Sequence, residues 1–397
     1  MKVKRPLYLI PIVLIASFVT MQQAVAQVPC SPAITPKATL FVNWPQFRYD
    51  TAQTGCNPYE TILSPSTVVN LTMDWSYGGG GFFSSPAVAN GIVYVGEGTM
   101  DGDGYLAAVN ANTGAEIWRW NAGAATGTPV VANGTVYVGS QAGVGGLYAL
   151  DALTGAYVWS FQNFGIGFSP TVVNGVIYFT SSDSNLYALN ASTGAQIWQT
   201  ALGSNNENIF NTSPAVVGGK VYVGSNDHNL YALDATTGVV LWKYLTGASI
   251  SFSSAAVSGG IVYVGSYDHN VYALNAATGA LVWKYPTGYV IWSSPAVAKG
   301  VVYIGSGDHN LYALDAHTGA LVWKYTTGGQ ILKSPAVANG VVYFTSFDLN
   351  NYALDANTGA LLWMSPTGNL DWGSAAVANG KVYFGSGALY AFHLPGQ

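Results

Sequence analysis

The stretch 280–319, ALVWKYPTGYVIWSSPAVAKGVVYIGSGDHNLYALDAHTG, is one complete copy of a unit that fills most of this 397-residue chain. Its tryptophan, Trp283, returns as Trp75, Trp118, Trp159, Trp198, Trp242, Trp323 and Trp363, at steps of 43, 41, 39, 44, 41, 40 and 40 residues. A period near forty, built from short alternating strands, marks a β-propeller rather than a helical solenoid.

Within the unit, Ser294 to Ala298 is small and apolar, which suits an innermost strand crowded against its copies around an axis. It ends at Lys299-Gly300, matched by Asn90-Gly91, Asn133-Gly134, Asn174-Gly175, Gly218-Gly219, Gly259-Gly260, Asn339-Gly340 and Asn379-Gly380. Such pairs favour the φ > 0 turns of two-residue hairpins, so the first two strands of each unit are antiparallel neighbours. The second strand carries Tyr94, Tyr137, Tyr178, Tyr222, Tyr263, Tyr303, Tyr343 or Tyr383. The third, LYALDA in this copy, leads through Asp/Asn-Ala-x-Thr-Gly into the fourth, ALVWKY. There Asp315 is suited to bond the turn's own backbone, and Gly319 to take a left-handed conformation. Lys243, Lys284 and Lys324 put a charge on the outer edge, which discourages pairing with other chains.

Innermost strands begin near Ser85, Thr128, Ser169, Ser213, Ser254, Ser294, Ser334 and Ser374, which predicts an all-β, eight-bladed propeller of four-stranded antiparallel blades. The eighth unit ends at Leu394 without a fourth strand, whereas 71–77, LTMDWSY, is a fourth strand with no blade before it. Joining the two closes the ring and hides both edges.

The start, MKVKRP, an apolar run from Leu7 to Val19 and the A-x-A site at Ala24 to Ala26 predict a secretory signal peptide over 1–26. Cleavage near Ala26 leaves an extracytoplasmic protein, periplasmic or secreted, with an arm over 27–70 and a propeller over 71–397. No stretch of the mature chain is long and apolar enough to span a bilayer. The only cysteines, Cys30 and Cys56, both fall in the arm, where an oxidising compartment favours a disulfide between them. Trp44, Phe47 and Tyr49 are expected to be buried where the arm lies across one face. The net charge is -5 and only 8% of residues are charged, which gives no basic patch for nucleic acid.

The motif Ala-x-Asp/Asn-x-x-Thr-Gly-x-x-x-Trp, as in Ala313 to Trp323, resembles the tryptophan-docking motif of the pyrroloquinoline quinone (PQQ) propeller superfamily. The segment 47–75, FRYDTAQTGCNPYETILSPSTVVNLTMDW, is similar to the entry segment of its dehydrogenases. The resemblance runs from Trp44 to the C-terminus. It implies that the eight tryptophans, Trp75 to Trp363, stack between neighbouring blades as a structural girdle. The superfamily holds quinoprotein dehydrogenases and non-enzymatic scaffolds such as the BamB-type subunit of the outer-membrane protein insertion machinery. The dehydrogenases hold PQQ with a calcium ligated by Glu, Asn and Asp, and many carry adjacent cysteines. This chain has no adjacent cysteines and lacks the long insertions of those enzymes, so the expected function is non-enzymatic binding or scaffolding, without a cofactor. PQQ-dependent oxidation of alcohols or sugars is the alternative.

Half of the eighteen acids fall into repeating turns. Asp151, Asp234, Asp315 and Asp355 belong to the turn after the third strand, and Asp183, Asp227, Asp268, Asp308 and Asp348 to the turn after the second. Among the remaining acids, only Glu207 and Asp371 lie in loops entering an innermost strand, which line a propeller mouth. His228, His269 and His309 repeat in register on successive blades, which suits solvated turns better than one metal site. Two residues before the innermost serine stand Phe83, Phe252, Trp292, Leu332 and Trp372, an aromatic collar suited to a planar or extended ligand. The candidate ligand-binding set is Phe83, Glu207, Phe252, Trp292, Lys333, Asp371 and Trp372, with no catalytic or metal residue nominated. The expected partner is an envelope or secreted protein, or a small planar ligand at the mouth.

Overall fold

The computed structural model describes residues 43–79, 81–98, 104–123, 127–140, 145–162, 165–166, 169–203, 212–369 and 373–396. The strands form eight sheets of four antiparallel strands in radial order, the predicted propeller, and two of these sheets gain a further short strand. The sixth blade is typical: Ala296–Ala298 innermost, then Val301–Gly305, Asn310–Asp315 and Leu321–Thr326 at the rim. Lys299 and Gly300 adopt φ 48° and 77°, the left-handed pair that the hairpin demands.

Seven of the eight tryptophans dock on the next blade where one turn glycine makes room for the ring. Gly319 sits at φ 73°, and a β-carbon there would lie 2.7 Å from the ring of Trp283. The indole of Trp283 donates to the Ala316 carbonyl at 2.9 Å, and the Tyr263 hydroxyl donates to the same oxygen at 3.0 Å. Five other blades repeat this double donation, from Trp118 with Tyr94 at Ala152 to Trp323 with Tyr303 at Ala356. Gly300 shares the left-handed conformation but has open space around it. Gly319→Ala is therefore expected to cost clearly more stability than Gly300→Ala, which carries only backbone strain of about 1 kcal/mol. Urea denaturation of the two variants checks this, and equal losses would mean that the tryptophan does not bear on the turn.

The ring closes as expected. Thr72–Tyr77 pairs antiparallel with Leu389–His393 and supplies the outer strand of the eighth blade. Trp75 donates to Ala111 of the first blade, and Trp363 of the seventh donates to the Leu71 carbonyl in the arm. At these two junctions the pattern changes: the buried hydroxyls of Tyr343 and Tyr383 have no hydrogen-bond partner.

The arm lies elsewhere than across a face. Residues 44–57 enter the axial channel, because the innermost strands present backbone N–H groups to the axis that need acceptors. Val88 bonds the Trp44 carbonyl, Val131 that of Pro45, Val216 that of Thr51, Val257 that of Ala52, Val297 that of Thr54 and Val337 that of Gly55, at 2.6–2.9 Å. Cys56–Asn57 then runs parallel to Ala336–Ala338, and the Asn57 amide donates to Val377 of the eighth blade at 2.7 Å. Trp44 is buried with Tyr49 edge-on against it, and Phe47 is half-buried. Cys56 is buried and disulfide-bonded; Cys30, the only other cysteine of the sequence, lies outside the described residues.

Candidate functional site

The arm's turn through the axis is tight. Arg48, Tyr49 and Gln53 adopt φ of 59°, 74° and 55°, uncommon for residues with a β-carbon. Internal bonds hold the turn: the Thr54 N–H and hydroxyl both reach the Asp50 carboxylate, and the Arg48 Nε donates to the Gln53 carbonyl at 2.9 Å. The Arg48 guanidinium also donates to the carbonyls of Ser294, at 2.7 Å, and Pro295. Gln53 reaches the fourth blade, two away from the sixth that Arg48 contacts, donating to the Pro214 carbonyl at 2.9 Å. Burial pulls the Arg48 guanidinium down to about 9, with Asp50 opposing. Burial likewise pushes the Asp50 carboxyl up, against the bonds from Thr54 and the charge of Arg48. The level at which the innermost strands begin is thus filled by protein.

Around that level runs a chain of hydroxyls that sequence reasoning used only as strand markers. The N–H of Ser169 donates to the Ser213 hydroxyl, and so on through Ser254, Ser294, Ser334 and Ser374 to Ser85, at 2.7–3.2 Å. The serine recurrence was the available signal, but one repeat alone does not reveal that the bond runs to the next blade.

Loops entering the innermost strands and turns after the second strands share the mouth face. Of the collar, Phe83 is 1% exposed and packs in the core where the ring closes, so it offers no surface to a ligand. Leu332 is also buried. Phe252 and Trp292 are half-buried and meet with ring centres 5.0 Å apart, and Tyr267, absent from the expected collar, stacks on Trp292 at 6.0 Å and 21°. Phe252 is left-handed at φ 66°, which costs a residue with a β-carbon about 1–2 kcal/mol. The buried Trp292 Nε1 has no hydrogen-bond partner. Outward along the same face, His269 packs at 5.6 Å from the exposed ring of Tyr289. Lys333 is half-buried on the neighbouring loop. Glu207, Asp371 and Trp372 lie outside the described residues.

The repeating acids are occupied as turn chemistry requires. Asp268 accepts from the Tyr272 hydroxyl and the Asn270 and Gly247 N–H groups, and Asp308 does the same with Tyr312, Asn310 and Gly288. Burial opposes both charges, but these bonds hold the two carboxyls below the ordinary value. His228, His269 and His309 occupy left-handed turn positions at φ 71°, 69° and 72°. Among the described residues, no three His, Cys, Asp or Glu side chains come together as a metal site. Arg48 and Gln53 occupy the axis at this level, and Glu207 and Asp371, the two acids placed by sequence at the mouth, lie outside the described residues.

A family model described as outer membrane protein assembly factor BamB matches residues 67–165, 145–290 and 287–394. No curated protein sequence matches. Among solved structures, BamB from Moraxella catarrhalis superposes with a TM-score of 0.67 at 18% identity, covering 81% of this chain and 99% of that one. A europium-containing methanol dehydrogenase gives 0.75 at 15% identity, with 89% and 98% covered. Quinohemoprotein alcohol dehydrogenase from Comamonas testosteroni gives 0.74 at 17% identity, with 90% and 81% covered. At these identities the structures establish the fold alone, and they include both a scaffold and two enzymes. No helix among the described residues is long and apolar enough to cross a membrane. The family model spans nearly all of the ring, and the chain belongs to the family of the outer membrane protein assembly factor BamB.

Proposed function

We propose that this chain is an exported, non-enzymatic binding propeller that serves protein interactions of the cell envelope. One observation carries the reading: the axis, at the level where the innermost strands begin, is taken by the chain's own Arg48 and Gln53, hydrogen-bonded to carbonyls that precede those strands. The family match to an assembly factor supports the same direction. Recognition falls to the mouth face, where Phe252, Tyr267, Trp292 and Tyr289 offer aromatic surface beside Lys333. The partner is an envelope or secreted protein. A small planar ligand on the Phe252–Trp292 surface is the second use of that face, favoured by the unpaired indole N–H.

The test is titration calorimetry with PQQ in the presence of calcium, followed by absorption spectroscopy of the reconstituted protein. The expected result is no stoichiometric binding, no quinone absorbance and no dye-linked oxidation of alcohols or sugars. Tight binding that is lost in Glu207→Ala would overturn the reading in favour of a PQQ-dependent dehydrogenase.

A further inference from the structure

Residues 43–77 form one continuous element that makes two separate attachments to the ring. The first part, 44–57, fills the axis, and the last part, Thr72–Tyr77, completes the eighth blade. Between them, Glu60 accepts the Gly380 N–H at 2.9 Å and Leu71 accepts the Trp363 indole. All of these partners lie beyond Tyr77 in the sequence. They are reached across four consecutive glycines, Gly78 to Gly81.

The glycines divide by need. Gly78 has φ 72°, and a β-carbon there would meet the Phe83 ring at 2.6 Å; at Gly81 one would meet the Gly98 carbonyl at 2.6 Å. Gly79 has no such constraint: nothing lies within 4 Å of its would-be β-carbon, and its φ is ordinary. Glycine at that position serves freedom of the chain rather than the closed geometry. The element beyond it is also under tension, with three left-handed residues and a buried cation, and the seam it closes leaves Tyr343 and Tyr383 unpaired. A contiguous element joined to its ring through a short glycine segment is one that two copies can exchange.

We propose that residues 43–77 are an exchangeable element, and that the partner fitted by the axial channel and the open edge of the eighth blade is the same segment from a second copy of this chain. The swapped dimer keeps every contact of the monomer and changes only the path of the hinge. The short tether holds the arm near its own ring at an effective concentration on the order of millimolar, so the dilute wild type stays monomeric. Shortening the hinge removes that advantage and favours exchange.

One added cysteine per variant, beside the native Cys30 and Cys56, gives a direct reading, because Ser76 and Tyr390 face each other in the closing pair. Ser76→Cys and Tyr390→Cys are prepared separately, mixed, unfolded and refolded at increasing concentration under mild oxidation. A disulfide between the two new cysteines forms only when the arm of one copy pairs with the ring of the other. The expected result is a covalent dimer whose share rises with concentration, and that predominates at low concentration when Gly79 and Gly80 are deleted from both variants. Peptide mapping assigns the bond. Monomer at all concentrations, or a dimer lacking the 76–390 link, would overturn the proposal. The wild-type-length pair keeps the test decisive if the shortened hinge fails to fold.

Discussion

Deleting residues 27–77 is expected to give aggregated or protease-sensitive protein rather than a smaller soluble propeller. The deletion removes the outer strand of the eighth blade and bares the Leu389–His393 edge, a ready template for pairing with another chain. It also strips acceptors from the N–H groups of Val88, Val131, Val216, Val257, Val297 and Val337, which all face the axis. Each buried backbone group left unpaired costs about 1–3 kcal/mol, so the six together cost about 6–18 kcal/mol, comparable to the whole stability of about 5–15 kcal/mol that ordinary domains possess. Water entering the emptied channel recovers part of this, but the bare edge persists. Limited proteolysis and light scattering check the outcome. A soluble truncation with unchanged denaturation would show that neither plug nor latch is needed for closure.

Trp283→Ala is expected to destabilise the protein by about 3–5 kcal/mol, the range for deleting a large buried ring that the surroundings cannot refill. Trp283 is 7% exposed, fixed by the Ala316 carbonyl, and covers Gly319 of the next blade. Trp292→Ala is expected to cost much less. That ring is half-buried between Phe252 and Tyr267, and its Nε1 forms no bond to lose. Guanidinium denaturation of both variants measures the difference. Equal losses would place Trp292 in the structural core and remove the central element of the proposed binding surface.

Much of this architecture was legible from the sequence because it is written eight times. Turn glycines, docking tryptophans and innermost serines each recur at one period, and repetition separates a structural role from chance. The orphan strand before the first unit and the missing strand after the last pointed to the closure that Thr72–Tyr77 makes. The arm was misplaced because it occurs once. Nothing in the run from Trp44 to Asn57 states that its carbonyls, rather than its side chains, seek the ring, and backbone acceptors leave no compositional trace. The collar was legible only in part for the same reason. Register identified Phe252 and Trp292, but burial took Phe83 and Leu332 out of reach, and Tyr267 joined from a turn that carries no aromatic consensus. Glu207, Asp371 and Trp372 remain part of the proposed mouth on sequence position.

The latch also fixes an order of events during synthesis. Thr72–Tyr77 is made before any blade exists, and its partner, Leu389–His393, only after the other seven blades. A contact between such distant parts of the chain is slow to form, because the loop entropy must be met before the pairing returns anything. Until then, the segment 44–57 is already present with its carbonyls unmatched, and each arriving innermost strand finds its acceptor waiting. The arm is thus a template laid down first, around which the blades assemble one after another. The ring is expected to resist proteases only when the final strand, Leu389–His393, has paired with Thr72–Tyr77 at the rim.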